Sequence, residues 1–222
     1  MHVNADLSER ADVTPDTYCW VTSPQPGVER VMLERDGGEQ ARATSIVRYA
    51  SGSWFPRHSH PLGEEILVLN GKFSDEQHTY SAGWYLRNPP GSSHRPWSNE
   101  GALLFVKLRQ MRSEQQQEIR VNTSDECNWT LYQGRVVCPL FRDALERVRL
   151  EWVPPSSNAI FDNSGGVEVL VVDGGLQSDE CCYPKGSWLR FPPSGQSALR
   201  AGSRGATIYV KMGHLVSAKR SI

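Results

Sequence analysis

Glu65-Ile-Leu-Val-Leu-Asn-Gly71 returns 103 residues later as Glu168-Val-Leu-Val-Val-Asp-Gly174. At the same offset Gly83-Trp-Tyr-Leu-Arg-Asn-Pro-Pro90 returns as Gly186-Ser-Trp-Leu-Arg-Phe-Pro-Pro193, and Tyr80 as Tyr183. One residue further along, Phe105-Val-Lys-Leu108 is matched by Tyr209-Val-Lys-Met212. The openings correspond more loosely, with Trp20 and residues 26–35 answering to Trp129 and residues 133–142. A period near 100 residues is too long for a solenoid and fits two copies of one small domain. The expected division is an N-terminal arm at 1–19, a first repeat at 20–112, a polar linker at 113–125 and a second repeat at 126–222. The linker is placed on Arg112-Ser-Glu-Gln-Gln-Gln-Glu-Ile-Arg-Val-Asn-Thr-Ser-Asp125, part of which can form a strand entering the second repeat.

Each copy reads as all-β. Short runs rich in Val, Ile, Tyr, Trp and Leu are separated by turn signals such as Asp36-Gly-Gly38, Ser51-Gly-Ser53, Asn70-Gly71 and Asp173-Gly-Gly175. Asn70-Gly71 between two strand-like runs predicts a type I′ hairpin. Ile66–Leu69 and Val169–Val172 are apolar without alternation, so both faces of those strands are expected to be covered, one repeat packing on the other. Repeated strands of this kind close into a sandwich or barrel. The one helix-like stretch, Asp143–Arg149, is expected to be a turn and strand because of its place in the repeat.

Composition excludes several classes. The 222 residues carry 24 basic and 25 acidic side chains, mixed along the chain, for a net charge of −1. That balance gives no nucleic-acid-binding surface and no basic membrane-surface helix. No apolar run reaches the ~18 residues of a spanning helix, and the first residues lack the apolar core of a signal peptide. The five cysteines (19, 127, 138, 181 and 182) form no C-x-x-C pair. An odd, sparse set points to a reducing compartment, so a cytoplasmic protein without a disulfide framework is expected.

Chemistry concentrates in the first repeat. Gly52-Ser-Trp-Phe-Pro-Arg-His58-Ser-His60-Pro-Leu-Gly-Glu64 is followed thirty residues later by Pro89-Pro-Gly-Ser-Ser-His94. On a strand, His58 and His60 project from one face. Three imidazoles and a carboxylate suit one divalent ion per chain, zinc foremost, with iron, nickel or manganese as alternatives. Glu64 and Glu65 compete for the carboxylate role. They point to opposite faces, and spacing favours Glu64, whereas Glu65 recurs as Glu168 and reads as structural. Such a set leaves coordination positions open, and open positions permit Lewis-acid chemistry, an activated water or dioxygen binding at Fe(II). No nucleophilic triad is visible, so no catalytic side chain is assigned.

These residues also resemble a family. Gly52-x5-His58-x-His60-x3-Glu64-x6-Gly71 resembles the first cupin motif, and Gly83-x5-Pro89-x-Gly91-x2-His94 the second; Ser98 stands where the family's final Asn falls. The resemblance covers roughly residues 20–215 and implies a bicupin, two jelly-roll (double-stranded β-helix) barrels in tandem, with His58, His60, Glu64 and His94 as metal ligands. His58-Ser-His-Pro-Leu-Gly-Glu-Glu-Ile-Leu-Val-Leu69, Phe73-Ser-Asp-Glu76, Arg87-Asn-Pro-Pro-Gly-Ser-Ser-His94 and Phe105-Val-Lys-Leu-Arg-Gln110 resemble the cupin domain of ChrR-type anti-sigma factors. In that family the cupin senses singlet oxygen or peroxide damage, which implies a small molecule or reactive oxygen species as the partner here. The family's N-terminal helical domain, with its His-x-x-x-Cys-x-x-Cys zinc motif, has no counterpart in this sequence, so sigma-factor binding is not expected. The implied function is a metal-binding sensor or regulator of an oxidative-stress response. The alternative is a metal-dependent cupin dioxygenase acting on a small diketone or aromatic substrate.

At the offset of 103 the second repeat replaces His58 by Phe161, His60 by Asn163, Glu64 by Val167 and His94 by Ser197. An Asn and a Ser cannot hold a transition metal against water, so this repeat is read as scaffold or as a vacant pocket for an apolar ligand. His78 reads as a solvated loop residue, and His2 and His214, near the chain ends, as surface residues. Cys181-Cys182 reads as two free thiols, since a bridge between neighbours is strained, with redox sensitivity as the alternative. Arg87 and Arg190 read as members of structural ion pairs. The seven Trp read as barrel filling, with Trp54 and Trp97 flanking the ligands. Sheet edges point to a homodimer.

Overall fold

The computed structural model describes residues 1–195 and 198–218. The chain forms two compact units, and neither is continuous in sequence. The first comprises Met1–Ala5 and Cys19–Ser124, the second Asp6–Tyr18 and Asp125–Ile222.

In the first unit the main sheet runs in the order His2–Val3, Val28–Asp36, Arg42–Tyr49, Ala102–Leu108, Glu64–Ser74, Trp84–Asn88 and Ile119–Asn122. Its central pairings are antiparallel. A separate two-stranded ribbon joins His58–His60 to Ser92–His94. The second unit repeats the order: Thr130–Tyr132, Arg135–Arg142, Arg147–Val153, Leu199–Met212, Val167–Gln177, Trp188–Phe191 and Ala11–Val13. The helix-like stretch 143–149 is a turn leading into the strand Arg147–Val153. The Asp143 carboxylate accepts from the amides of Leu145 and Glu146, an arrangement that competes with helix.

Side-chain alternation sets the two faces of each central strand. Ile66, Val68, Leu86, Ala102, Leu104 and Val106 share one core with Phe73 and Tyr80. Val167, Val169, Val171, Leu189, Phe191, Ile208 and Val210 do the same in the second unit. The opposite faces are covered as well, since residues 64–68 and 167–171 are buried without a break. Those opposite faces carry charge. Arg87 donates to Glu65 at 2.8 Å with both side chains buried, and the Tyr85 hydroxyl donates to the other oxygen of Glu65 at 3.0 Å. Lys107 stands beside Glu65 on the next strand and donates to Thr44. In the second unit Lys211 pairs with Glu146 at 3.3 Å, and Arg190 donates to the Asp6 carbonyl at 2.8 Å.

Four expectations are corrected. Asn70-Gly71 does not close a hairpin; it lies inside the eleven-residue strand Glu64–Ser74, where the pairing with Ala102–Leu108 slips between Leu103 and Leu104. Gly71 has φ +73°, and a Cβ there would lie 2.1 Å from the Gly101 carbonyl oxygen. Positive φ is thus used for a bulge rather than a turn. Asp173-Gly174 does the same, with φ +71° and the Gly205 oxygen at 2.2 Å. Second, Ala11–Val13 in the expected arm is an edge strand paired with Trp188–Phe191, and the strand expected within the linker, Ile119–Asn122, pairs with Trp84–Asn88 of the first unit rather than entering the second. Third, His214 is buried in the short helix His214–Ala218, its Nε2 3.5 Å from Glu168. Fourth, Trp54 and Trp152 are exposed rather than internal, whereas Trp188 is fully buried.

Gly71→Ala is expected to destabilise the protein by at least about 2 kcal/mol, because left-handed strain and a backbone clash act together. Gly52→Ala shares the strain (φ +74°) but meets nothing within 4 Å, so about 1 kcal/mol is expected. Urea midpoints of the two variants check the difference; equal costs would remove the clash from the account.

Candidate metal centre

The ribbon register places His94 directly opposite His58, with His60 two residues along the same strand face. Glu64 opens the next strand on the parity of Ile66 and Val68, so its carboxylate points to the core side and Glu65 to the other. One ligand atom from each of His58, His60, Glu64 and His94 lies within 4.8 Å of the other three. Both His60 Nε2 and His94 Nε2 lie 3.5 Å from Glu64 Oε2. A transition metal bonded at about 2.1 Å holds neighbouring ligands about 3–4 Å apart, so the spacing fits one ion. The three rings stand edge to face, with centroids 4.8–5.1 Å apart. His60, Glu64 and His94 are buried and His58 is half-buried, which leaves the cluster open on the His58 side.

The decisive feature is a deficit. His60 Nε2 and His94 Nε2 are buried and have no hydrogen-bond partner. Two orphaned nitrogens facing one carboxylate are costly in a core, and a cation shared by all four groups removes that cost.

Surrounding groups orient each member of the cluster. Pro56 O lies 2.9 Å from His58 Nδ1; a carbonyl only accepts, so Nδ1 is the donor and Nε2 is the nitrogen turned toward the cluster's other members. His94 Nδ1 faces Asp75 Oδ2 at 3.8 Å, longer than a hydrogen bond. Asp75 is itself held by the amides of Gln77 and His78. Asn88 Nδ2 donates to Glu64 Oε2 at 2.8 Å. Burial would raise the proton affinity of Glu64, but the three imidazoles and the Asn88 amide outweigh it and hold the carboxyl below its ordinary range. Burial pushes His60 down, against the pull of Glu64. His94 is also driven down by burial, yet Glu64, Asp75 and Glu76 together carry it above its ordinary value. Glu64 is therefore ionised and His60 neutral near pH 7, the states in which carboxylate and imidazole bind a metal.

The structure brings together the four residues read from the motif spacing and leaves the other histidines apart. His78 is exposed, and His2 pairs with Asp36 at the surface. The rings against the histidines are Phe55, edge-on to His58 at 5.3 Å, and Phe73, 6.1 Å from His94. Trp54 instead lies beneath the Arg95 guanidinium. Asp75 and Asn88 went unnoticed in the sequence; Asn88 was legible by parity, since it falls on the inward face with Leu86. In the second unit Phe161 packs on the core, Val167 is buried, and Asn163 donates to Gly195 O at 2.6 Å. Ser197 lies outside the described residues. Among the described residues no other group of His, Cys, Asp and Glu has metal-binding geometry. Cys181 and Cys182 are exposed free thiols. No described helix is long and apolar enough to cross a membrane.

Residues 8–112 match the family model described as the ChrR cupin-like domain. No match is found among curated proteins. Among solved structures, a candidate dioxygenase of Nostoc punctiforme superposes with a TM-score of 0.72 at 13% identity, over 91% of this chain and 82% of that one. The pirin YhhW of Escherichia coli in complex with nickel(II) gives 0.63 at 11% identity, over 91% and 98%. A cupin 2 conserved barrel domain protein of Leptotrichia buccalis gives 0.58 at 14% identity, over 86% and 91%. At these identities the likeness is one of fold, an all-β jelly roll. Residues 8–112 are therefore similar to a cupin-like domain on an all-β jelly-roll fold, in which His58, His60, Glu64 and His94 form a cluster compatible with a single metal ion.

Proposed function

We propose that the protein is a tandem of two cupin units in which the first binds one divalent metal ion, zinc foremost, and serves as a sensor or regulator of an oxidative-stress response. His58, His60, Glu64 and His94 are the ligands in this reading, and the second unit is scaffold. The observation that carries it is the pair of buried, unpartnered Nε2 atoms of His60 and His94 facing an ionised Glu64. The match of residues 8–112 to the ChrR cupin-like domain supports the sensor role over an unrelated one.

A second reading has its own support. The cluster opens on the half-buried His58, and four protein ligands leave room for a further one on a five- or six-coordinate metal. That opening and the likeness in fold to a candidate dioxygenase favour an oxygenase of a small diketone or aromatic substrate.

Elemental analysis of the purified protein, repeated after anaerobic loading with Fe(II) and with oxygen uptake followed, separates the two. About one tightly held zinc per chain, and no oxygen uptake with a 1,3-diketone or a catechol after iron loading, is the expected result. Stoichiometric oxygen consumption with such a substrate would make the protein an enzyme. Less than a tenth of an ion per chain after loading would overturn both readings.

A further inference from the structure

The strand Ile119–Asn122 reaches the metal cluster through two side chains. Arg120 Nη2 donates to Asn88 Oδ1 at 2.8 Å, and Asn88 Nδ2 donates to Glu64 Oε2 at 2.8 Å. The direction of this relay follows from chemistry. A guanidinium only donates and a carboxylate only accepts, so Asn88 must turn its oxygen to Arg120 and its NH2 to Glu64. An amide at position 88 is one of few groups that can join them. Asn88 is buried and lies directly opposite Glu64 in the pairing of Trp84–Asn88 with Glu64–Ser74.

The second unit supplies an internal comparison. The position opposite Val167, which replaces Glu64, is Phe191 in place of Asn88. Arg120 pairs with Leu86, and the residue paired with the equivalent Leu189 is Asp12. Arg120, Asn88 and Glu64 are thus all replaced in the unit without the cluster. Another contact of Arg120 is kept there: Arg120 Nε donates to the Tyr80 hydroxyl at 3.1 Å, and Arg10 Nη2 donates to that of Tyr183 at 2.9 Å. The arginine–tyrosine contact belongs to the fold, whereas the limb to Asn88 and Glu64 goes with the metal cluster.

We propose that Asn88 and Arg120 are positioning residues for Glu64 as a metal ligand, and that through them metal binding is coupled to the order of the edge strand Ile119–Asn122. The inference rests on the metal-binding reading above. Glu64 fixed by a directed amide loses little freedom when an ion binds, and groups behind a metal ligand are typically worth about 10–100-fold in affinity. Coupling is reciprocal. If the relay favours the bound ion, the ion favours the closed strand by the same factor. Metal occupancy is thereby reported on the last strand of the first unit, just before the chain enters the second.

The test uses the full chain and Zn(II). Affinity is measured by competition with a chromophoric chelator for wild type, Asn88→Ala, Arg120→Ala and Arg120→Gln, together with the melting temperature of each metal-free form. Affinity is expected to fall about 10–100-fold in the alanine variants and less in Arg120→Gln, which keeps an amide donor. A purely structural role would lower the metal-free melting temperature and leave the affinity of the folded protein unchanged. Amide exchange gives a second readout, whose first arm needs wild type alone. Zn(II) is expected to slow exchange at residues 119–122 in wild type, and Asn88→Ala to lose that protection. Wild-type affinity in both alanine variants, or unchanged exchange at 119–122 on adding Zn(II), would overturn the proposal alone. Failure of wild type to bind Zn(II) would instead sink the metal-binding reading beneath it.

Discussion

His94→Ala loses tight metal binding, its affinity falling by more than about 100-fold relative to wild type. Removing a group behind a ligand costs about 10–100-fold, and removing a ligand costs more. The geometry makes compensation difficult. His94 supplies one of the two buried nitrogens 3.5 Å from Glu64 Oε2, and Asp75, the acidic group beside it, is anchored by two backbone amides. His60→Ala should behave alike, because its Nε2 makes the matching 3.5 Å approach. His78→Ala should hold the ion as wild type does, since its exposed ring touches Tyr80 rather than the cluster. Stability follows occupancy. An ion held at a thousand times its Kd stabilises the folded chain by about 4 kcal/mol, so adding metal should raise the melting temperature of wild type and His78→Ala, and not that of His94→Ala. Equal metal retention in His94→Ala and His78→Ala would remove the four-residue assignment.

Glu65→Ala is the largest purely structural effect expected, about 3–5 kcal/mol of stability lost with the metal cluster intact. Arg87 has no exposed surface, and Glu65 accepts from both Arg87 and the Tyr85 hydroxyl. Removing the carboxylate takes a charged acceptor from a guanidinium that water cannot reach, and that desolvation, rather than the lost attraction, dominates the cost. Replacing both partners by apolar groups, as in Glu65→Leu with Arg87→Met, should recover part of the loss because the buried guanidinium goes with its carboxylate, while Lys107 stays buried beside the site. The surface pair Lys72–Glu100 has the same 2.8 Å separation, but its side chains are 49% and 61% exposed. Glu100→Ala should therefore cost no more than about 1 kcal/mol. Urea unfolding of the three variants decides the matter; a Glu65→Ala cost as small as that of Glu100→Ala would refute the buried-charge account. Metal affinity should be unchanged in Glu65→Ala, because parity points this residue away from Glu64.

The sequence by itself determined what depends on local spacing. His58-x-His60 sets two imidazoles on one strand face, and the alternation that puts Ile66 and Val68 inward selects Glu64 over Glu65. The replacements at Phe161, Asn163 and Val167 mark the second unit as lacking the cluster. Such readings are open to sequence because strand periodicity orients a side chain relative to its near neighbours whatever the rest of the chain does. Tertiary structure decided the rest. Asn70-Gly71 has the chemistry of a turn, yet the same positive φ serves a bulge, and only pairing with Ala102–Leu108 chooses between them. His214 reads as a terminal surface residue until a helix buries it near Glu168. Ile119–Asn122 is partly buried at every position, with no alternation to announce a strand. Its pairing with Trp84–Asn88 spans more than thirty residues of chain, and that long-range contact carries Arg120 to Asn88 and so to the cluster. Local pattern chose the four residues of the cluster; long-range strand pairing chose what stands behind them.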